Sequence, residues 1–352
     1  MIAIESFAQP TPPANDNYIP MTLATPHKPN GHAPVMIDEV IEHLNLRDGG
    51  IYLDATFGHG GYARALLDHA DCMVYGLDRD PLAEQRALGM MREYDGRFRF
   101  VRGCFGDLES LLHSVGVEQI DGVVFDIGVA SSQLDDAARG FSFRHDGPLN
   151  MRMDGGRPNA ADAVANMDVD TLAQIIEEYG EERMAHRVAR AIVEARKEQP
   201  ITTTSQLADI IRRVVPKSRD GIDPATRTFQ ALRIYVNDEL GELERGLQQA
   251  ERMLGTHGRL VVVSYHSLED RIVKEFLKTR AGKTPNASRH LPAITPLHKP
   301  SFNLVTKKAL GPGEIEIARN PRAASAKLRS AERSAAPVWP NLGGMGKLIL
   351  HS

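Results

Sequence analysis

Apolar residues along this chain follow two periods, and the order of those periods predicts the fold. Short apolar runs with the length of buried strands occur at residues 51–54, 73–78, 97–101, 120–126 and 258–264. Between the first four runs, apolar residues recur three and four positions apart, as on one face of a helix. Strands that alternate with helices form parallel sheets, so the pattern predicts an α/β fold.

The middle of the chain shows helical periodicity without a convincing strand. Apolar residues recur at helical spacing in three segments, 168–179, 181–197 and 204–215. Asp223-Pro224 then predicts the start of one long helix, whose apolar face extends to Leu247. We therefore predict an all-helical domain at residues 134–221, inserted into an α/β domain made of residues 32–133 and 222–333.

The two ends of the chain fall outside this pattern. Residues 1–31 are rich in Pro, Asn and Thr and poor in apolar residues, which predicts a disordered extension. Residues 334–352 form a second, C-terminal extension. Before it, residues 281–300 predict a loop, and the segments 302–306 and 314–317 predict a last pair of strands.

Composition and charge exclude several classes of protein. The 352 residues are 42% hydrophobic and 25% charged, and no apolar run reaches the roughly 18–20 residues of a membrane span. The chain shows no secretory signal, and Cys72 and Cys104 lack zinc-type spacing, so we expect a cytoplasmic protein without a metal site. The net charge of −4 means that any surface for nucleic acid is local.

A glycine-rich turn after the first strand is typical of sites for nucleotide-like ligands. Gly58, Gly60 and Ala63 fit the pattern G-x-G-x-x-G/A, in which a tight turn leads into a helix N-terminus with unpaired N–H groups. Asp78 ends the second strand, where its carboxylate can bind ribose hydroxyls. These features fit NAD, FAD and S-adenosylmethionine equally, and such a turn can also serve packing alone.

Three further positions favour S-adenosylmethionine. Asp54 ends the first strand, where its carboxylate can face an ammonium or sulfonium group. Phe105 follows the third strand, where its ring can lie against adenine, although a core aromatic residue gives the same pattern. Asp126 ends the fourth strand, where a substrate would meet the methyl group, because the carboxyl ends of parallel strands converge on one crevice.

Longer motifs connect these positions to a known family. From about residue 32 to residue 333 the chain resembles the bacterial 16S ribosomal RNA (cytosine-N4)-methyltransferase family, also called MraW. The resemblance is carried by motifs that include Asp54-x-Thr56-x-Gly58-x-Gly60-Gly61, Asp78-Arg79-Asp80, Arg139-Gly140-Phe141-Ser142-Phe143, Met151-Arg152-Met153-Asp154 and Ser264-Tyr265-His266-Ser267-Leu268-Glu269-Asp270-Arg271.

The resemblance implies a Rossmann-like class I methyltransferase sheet with an inserted all-helical domain for substrate recognition. It implies that S-adenosylmethionine methylates N4 of a cytidine in the decoding region of 16S ribosomal RNA, in the small ribosomal subunit. Tyr62 and Ala130 stand where His and Ser are common, and backbone contacts at residue 62 are expected to survive this difference. By matched position, the implied cofactor contacts are Gly60, Gly61, Tyr62, Asp78, Phe105, Asp126 and Gln133.

The implied reaction restricts the catalytic candidates. The lone pair of a cytosine amine is delocalised into the ring, so attack needs acceptors that draw its N–H bonds out of plane and a later exit for one proton. Asp126 and the carbonyls of residues 127–129 are the nearest candidates, and His266 is a second candidate with a structural role as its alternative. Phe141 and Phe143 could stack on a flipped base or belong to the core.

Basic residues cluster in two segments of this acidic chain. Residues 183–233 hold eleven Lys and Arg against five Asp and Glu, and residues 319–333 hold five against one. Local basic surfaces suit RNA phosphates, although a solvated helix face has the same composition. We expect RNA contacts at Arg227, Arg233 and Arg271.

Two other functions remain open from sequence alone. A ribosome-assembly factor could keep the cofactor pocket without turnover, and a nicotinamide-dependent oxidoreductase could use the same glycine turn. The sequence also leaves open whether the protein is a monomer or a homodimer.

Overall fold

A computed structural model of the chain describes residues 34–155, 158–217, 221–283 and 298–340. The predicted extension at residues 1–31 and most of the predicted loop at residues 281–300 lie outside this part of the chain. None of the described helices is both long enough and apolar enough to cross a membrane.

A mixed sheet lies at the centre of the α/β part. Its strands are β1 (Ile51–Asp54), β2 (Met73–Asp78), β3 (Phe98–Arg102), β4 (Ile120–Asp126), β5 (Leu254–Ser264), β6 (Phe302–Leu304) and β7 (Lys327–Arg333). Their order in space is β3-β2-β1-β4-β5-β7-β6. Strands β1 to β5 are parallel, and β7 is antiparallel to both β5 and β6. The strand order reverses between β1 and β4, and the predicted Rossmann-like class is confirmed.

Helices cover both faces of this sheet and form a separate group between β4 and β5. They are α1 (Ile37–Leu44), α2 (Gly61–His69), α3 (Pro81–Glu93), α4 (Leu108–Ser114), α5 (Ser131–Asp135), α6 (Ala160–Asn166), α7 (Val169–Gly180), α8 (Ala185–Glu198), α9 (Thr204–Val214), α10 (Thr226–Asn237), α11 (Glu239–Met253), α12 (Ser267–Arg280) and α13 (Glu314–Arg319).

The sheet separates two apolar cores. Successive residues of a strand point to opposite faces, so in β4 the side chains of Val123 and Phe125 enter one core and Val124 enters the other. Helices α4, α11 and α12 close the first core, and α1, α2 and α3 close the second.

Helices α6 to α10, which we call the helical group, have a core of their own. Apolar side chains of α6, α7, α8, α9 and α10 pack together, and they include Leu172, Val188, Leu207 and Leu232. The predicted boundary at residues 221–222 falls before α10, whose apolar face belongs to this helical group.

The predicted long helix from Asp223 to Leu247 is wrong, because two helices occupy this stretch. The backbone of Asp238 has φ of 51°, a left-handed conformation that ends α10 and precedes α11. Aspartate tolerates this conformation better than most residues do. The carboxylate of Asp223 accepts from the Ala225 N–H at 2.9 Å in the turn before α10.

The predicted strand at residues 314–317 is also wrong, because these residues form helix α13. The partner of β6 is β7, which the sequence pattern missed. Charged residues interrupt the apolar pattern of β7, yet Ser330 and Arg333 are buried with Leu328 and Ala331. The guanidinium of Arg333 donates to the carbonyl oxygens of Glu251 and Ser301, and such hydrogen bonds allow a strand between two others to bury a polar side chain.

Candidate active site

Three acids lie at the carboxyl ends of neighbouring strands. Asp54 ends β1, Asp78 ends β2 and Asp126 ends β4, and β1 pairs with both of the other strands. Asp126 and Asp78 both raise the pKa of Asp54 by their charge. We call these three residues the strand edge.

The carboxylate of Asp54 stabilises the glycine turn by hydrogen bonds to its backbone. Its side chain is fully buried, and its two oxygens accept from the N–H groups of Thr56 at 3.3 Å and Ala63 at 3.1 Å. Burial is the main cause that raises the pKa of Asp54 to about 7. Both oxygens bind the backbone, and a contact of Asp54 with a cationic ligand stays a prediction.

The turn itself is built around left-handed glycines. Gly58 has φ of 53° and Gly60 has φ of 76°, a region that favours glycine. A Cβ on Gly60 would lie 2.7 Å from the ring of Phe57, and one on Gly61 would lie 2.9 Å from Pro34. The turn therefore packs tightly against Phe57 and Pro34. It leads directly into the first turn of α2, whose backbone N–H groups can bind a ligand.

Asp78 connects the turn to the segment after β2. Its carboxylate accepts from the Gly58 N–H at 2.7 Å and from the Asp80 N–H at 2.8 Å. Burial raises the pKa of Asp78 above its usual range. The residue is half-buried, so the carboxylate remains within reach of hydroxyl groups in the crevice.

Phe105 and Gln133 are two further predicted contacts of the cofactor. Phe105 lies edge-to-face on Phe125 with ring centroids 5.5 Å apart, and a Cβ on Gly246 would lie 2.8 Å from it. The amide of Gln133 accepts from the Ala130 N–H at 3.0 Å and donates to Asp80 at 3.1 Å. Phe105 is half-buried, and one N–H of the Gln133 amide remains for another partner.

Asp126 differs from the other acids because one of its oxygens has no protein partner. Its Oδ1 is buried and forms no hydrogen bond. Burial is the main cause that raises the pKa of Asp126 to about 6, a hydrogen bond from Tyr265 lowers it, and the charge of Glu269 raises it. A buried oxygen that lacks a donor is a ready acceptor for an N–H group of a ligand.

Tyr265 is a neighbour of this site that sequence reasoning did not single out. A Cβ on Gly128 would lie 2.5 Å from its ring, so the ring covers the loop that follows β4. The sequence signal that could have identified Tyr265 is its position beside His266 in one of the long motifs.

His266 faces its own helix rather than Asp126. It caps α12, where Nδ1 accepts from the Glu269 N–H at 3.5 Å, and its Nε2 lies 2.8 Å from the Glu269 carboxylate. Glu239 brings a further oxygen close to both groups, an arrangement that metal ions can use. Arg233 already binds both oxygens of Glu239 at 2.7–3.1 Å, and this ion pair gives the cluster a cation of its own, so we assign no metal there.

The three predicted RNA contacts differ in exposure. Arg227 is exposed and donates to the carbonyl oxygen of Glu181 at 3.1 Å, and Arg271 pairs with the carboxylate of the same residue at 3.0 Å. The side chain of Arg233 is only 15% exposed and is held by Glu239. Arg233 is therefore left out of the RNA surface proposed below.

The two aromatic candidates for base stacking lie in the helical group. Phe141 is buried there, and Phe143 packs edge-to-face on Phe229 with centroids 4.8 Å apart. This packing favours the core alternative for both rings.

A network of ion pairs joins the strand edge to the helical group, and sequence reasoning missed it. Asp80 pairs with Arg139 at 3.0 Å, and Arg79 pairs with Asp154. Arg79 also donates to the carbonyl oxygen of Asn237, at the end of α10, at 3.0 Å. We call these five residues the junction. Four of its members, all but Asn237, lie in motifs that the sequence analysis identified, but the contacts span 59 to 158 positions.

The chemistry of the donor set fits S-adenosylmethionine. Buried carboxylates without a cationic partner favour a cationic ligand nearby, a half-buried acid at the end of β2 suits ribose, and the first turn of α2 suits polar groups. The orphaned oxygen of Asp126 adds a buried acceptor to this set, and it is open to an N–H group of a ligand.

Comparisons with known proteins agree with this geometry. The model of the MraW methylase family matches residues 30–334. A protein of Paramagnetospirillum magneticum named ribosomal RNA small subunit methyltransferase H is 55% identical, over 88% of this chain and 98% of the relative. A protein of the same name from Rhodospirillum rubrum is 54% identical over 88% of this chain and 96% of the relative.

A solved structure of an rRNA methylase from Streptococcus thermophilus is similar at 11% identity and a TM-score of 0.37, over 85% of this chain and 93% of that one. The sequence relatives, rather than this weak likeness, support methylation of ribosomal RNA. Methyltransferase activity and S-adenosylmethionine as the methyl donor are confirmed with the predicted family. The chain belongs to the MraW methylase family.

Proposed function

We propose that this protein methylates N4 of a specific cytidine in the decoding region of 16S ribosomal RNA, within the small ribosomal subunit. The observation that carries the proposal is the buried oxygen of Asp126, which has no protein partner and lies at the end of β4. An exocyclic amine has N–H groups to donate to such an oxygen, whereas a ring carbon has none.

The cofactor is proposed to lie along the carboxyl ends of β1, β2 and β4. Backbone N–H groups at Gly60, Gly61 and Tyr62 would bind its amino-acid end, and Asp78 would bind the ribose hydroxyls. Phe105 would lie against the adenine, and the free N–H of Gln133 would reach the same ligand.

Asp126 is proposed to accept an N–H of the cytidine amine and then its proton. The amine lone pair forms the new N–C bond, and one proton leaves N4 for the carboxylate. When bound, S-adenosylmethionine supplies the methyl group and keeps the electron pair of the broken C–S bond. Because the pKa of Asp126 is raised to about 6, the carboxylate is ionised at neutral pH yet basic enough to hold a proton briefly.

His266 remains in the proposal as a residue that positions the start of α12. Its contacts with Glu269 fix the first turn of that helix beside Asp126. We assign the contact with the base to Asp126, since the ring nitrogens of His266 are directed at Glu269.

The RNA surface is proposed to include Arg227 and Arg271, which meet at Glu181 between the helical group and α12. The helical group would recognise the substrate, since the basic segment at residues 183–233 lies largely within it. Phosphate contacts of this kind fix orientation, while the crevice selects the base.

Methyl transfer to purified small subunits tests this function. The subunits come from cells that lack the modification, the methyl donor is radiolabelled, and mass spectrometry of RNA fragments locates the label. We expect N4-methylcytidine at one position of the decoding region, and no uptake by subunits that already carry it. Label on a ring carbon, on another base or on protein would contradict the proposal. Cofactor binding without any transfer would favour the assembly-factor alternative.

A further inference from the structure

The side-chain amide of Gln133 is held in one orientation by two groups of opposite hydrogen-bonding character. Its Oε1 accepts from the Ala130 N–H at 3.0 Å, and its Nε2 donates to Oδ2 of Asp80 at 3.1 Å. A backbone N–H only donates and an ionised carboxylate only accepts, so a flipped amide would set donor against donor and acceptor against acceptor. Gln133 is only 8% exposed, which leaves a flipped amide little water to bind instead.

Asp80 is itself held in place by contacts besides that amide. Its Oδ1 accepts from the Leu82 N–H at 3.0 Å and caps the first turn of α3. Its Oδ2 also accepts from Arg139 at 3.0 Å, and only 8% of the Asp80 side chain is exposed. Arg139 in turn donates to the carbonyl oxygens of Arg152 and Met153, in the segment before α6. The carboxylate that orients the amide is therefore buried, paired with a cation and fixed from both sides.

We propose that Asp80 is a positioning residue for the cofactor and acts on it through Gln133. Asp80 accepts one N–H of the amide and leaves the second N–H to donate to an acceptor atom of S-adenosylmethionine. Arg139 supports this role, because it keeps Oδ2 of Asp80 at the position that the amide needs. The proposal rests on the proposed contact between Gln133 and the cofactor, and it does not depend on which RNA is methylated.

A purely structural role for Asp80, as the cap of α3, gives a different expectation. Asparagine is as good an N-cap as aspartate, and its Oδ1 can keep the hydrogen bond from the Leu82 N–H. In Asp80→Asn an NH₂ group then replaces Oδ2, and this group cannot accept from the Gln133 amide. The substitution therefore separates the cap of the helix from the orientation of Gln133.

A double-mutant cycle on cofactor binding tests whether Asp80 acts through Gln133. Calorimetry with S-adenosylhomocysteine measures affinity without RNA and without methyl transfer. Gln133→Ala and Asp80→Asn should each weaken binding by about 3- to 10-fold, and the double variant should bind within about twofold of Gln133→Ala. Asp168→Asn, which changes the cap of α7 in the same way, is the control and should leave the affinity unchanged.

Losses that multiply in the double variant would show that Asp80 acts by another route, and they would overturn the proposal. Unchanged affinity in folded Gln133→Ala or Asp80→Asn protein would also overturn it. Neither result bears on the proposed function, which methyl transfer to small subunits tests separately.

Asp80→Asn leaves Arg139 without its anion, so thermal melting accompanies each titration. If Asp80→Asn does not fold, the combination of Asp80→Asn with Arg139→Gln removes both charges of the pair together. This combination should weaken binding by the same factor, and the loss should again vanish in the Gln133→Ala background. A loss that persists there would contradict the proposal.

Discussion

Buried carboxylates occur in two regions of this molecule, the strand edge and the junction. At the strand edge, Asp54, Asp78 and Asp126 have no Lys, Arg or His nitrogen within 4 Å among the described residues. Burial raises the pKa of all three, because an ionised carboxyl loses hydration there without gaining a cation.

In the junction, acids of similar burial are paired. Asp80 is held by Arg139, and Asp154 is held by Arg79. An ion pair of this kind gains little net free energy, but removing one partner leaves an uncompensated charge.

This difference indicates that the strand edge is a binding site and that the junction has a structural role. A buried carboxylate without a cationic partner costs free energy unless a ligand supplies the missing charge or donor. A carboxylate in an ion pair already has its partner. The strand edge is thus suited to a cationic methyl donor and an amine substrate. The junction holds the helical group against that edge without offering free charge.

The largest effect is expected for Asp126→Asn. The amide cannot accept a proton from the amine as proposed for Asp126, so single-turnover methyl transfer should fall by about 10²- to 10⁴-fold while cofactor affinity is retained. Asp71→Asn, an exposed acid at the other end of the sheet, is the matched control and should keep the wild-type rate. A rate for Asp126→Asn within threefold of wild type would remove Asp126 from the reaction.

Asp78→Ala should weaken cofactor binding by about 100-fold, because it removes the charge-assisted hydrogen bonds that we propose to the ribose. It also leaves the N–H groups of Gly58 and Asp80 without their acceptor, so circular dichroism and thermal melting must accompany the calorimetry. Asp78→Asn keeps one acceptor oxygen and should lose less. Unchanged affinity in a folded Asp78→Ala protein would show that the ribose lies elsewhere.

Arg139→Gln tests the junction by stability rather than by chemistry. It leaves Asp80 buried without its cation, and the free energy of unfolding should fall by about 2–3 kcal/mol. The control is Arg212→Gln, which breaks an exposed pair with Asp209 and Asp223 and should cost at most about 1 kcal/mol. Equal decreases in the free energy of unfolding, measured with urea, would contradict the distinction between the buried ion pair and the exposed ones.

The smallest effects are expected at the proposed RNA surface. Arg227→Ala and Arg271→Ala should each weaken subunit binding a few-fold and lower the slope of log affinity against log salt by about one. Arg233→Lys serves as a contrast, since Arg233 is buried on Glu239 and should affect melting temperature more than salt dependence. A loss of salt dependence with Arg233→Lys alone would reverse this assignment.

Local patterns in the sequence were sufficient to predict the parallel strands and the acids at their carboxyl ends. The runs at β1, β2 and β4 are short, apolar and bounded by turn residues, so their ends can be located without tertiary information. The same approach misplaced β7, whose polar residues are buried between two other strands, and the break at Asp238, which one backbone angle decides.

Contacts over long sequence separations could not be predicted. Charge alone made Arg233 a candidate for RNA, while its partner Glu239 became visible only in the fold. The pairing of Arg79 with Asp154 and the cover of Gly128 by Tyr265 depend in the same way on how distant segments pack. Residue type and local period carry no information on such partners.

Proton release on cofactor binding tests the central claim most directly. If the acids of the strand edge await a cationic ligand, the sulfonium of S-adenosylmethionine should lower their pKa values on binding and release protons at pH 6–7. Isothermal titration in buffers of different ionisation enthalpy measures that number, and S-adenosylhomocysteine, the uncharged thioether product, is the matched ligand. We predict a clearly larger release with S-adenosylmethionine. Equal release with the two ligands, or none with either, would contradict the account.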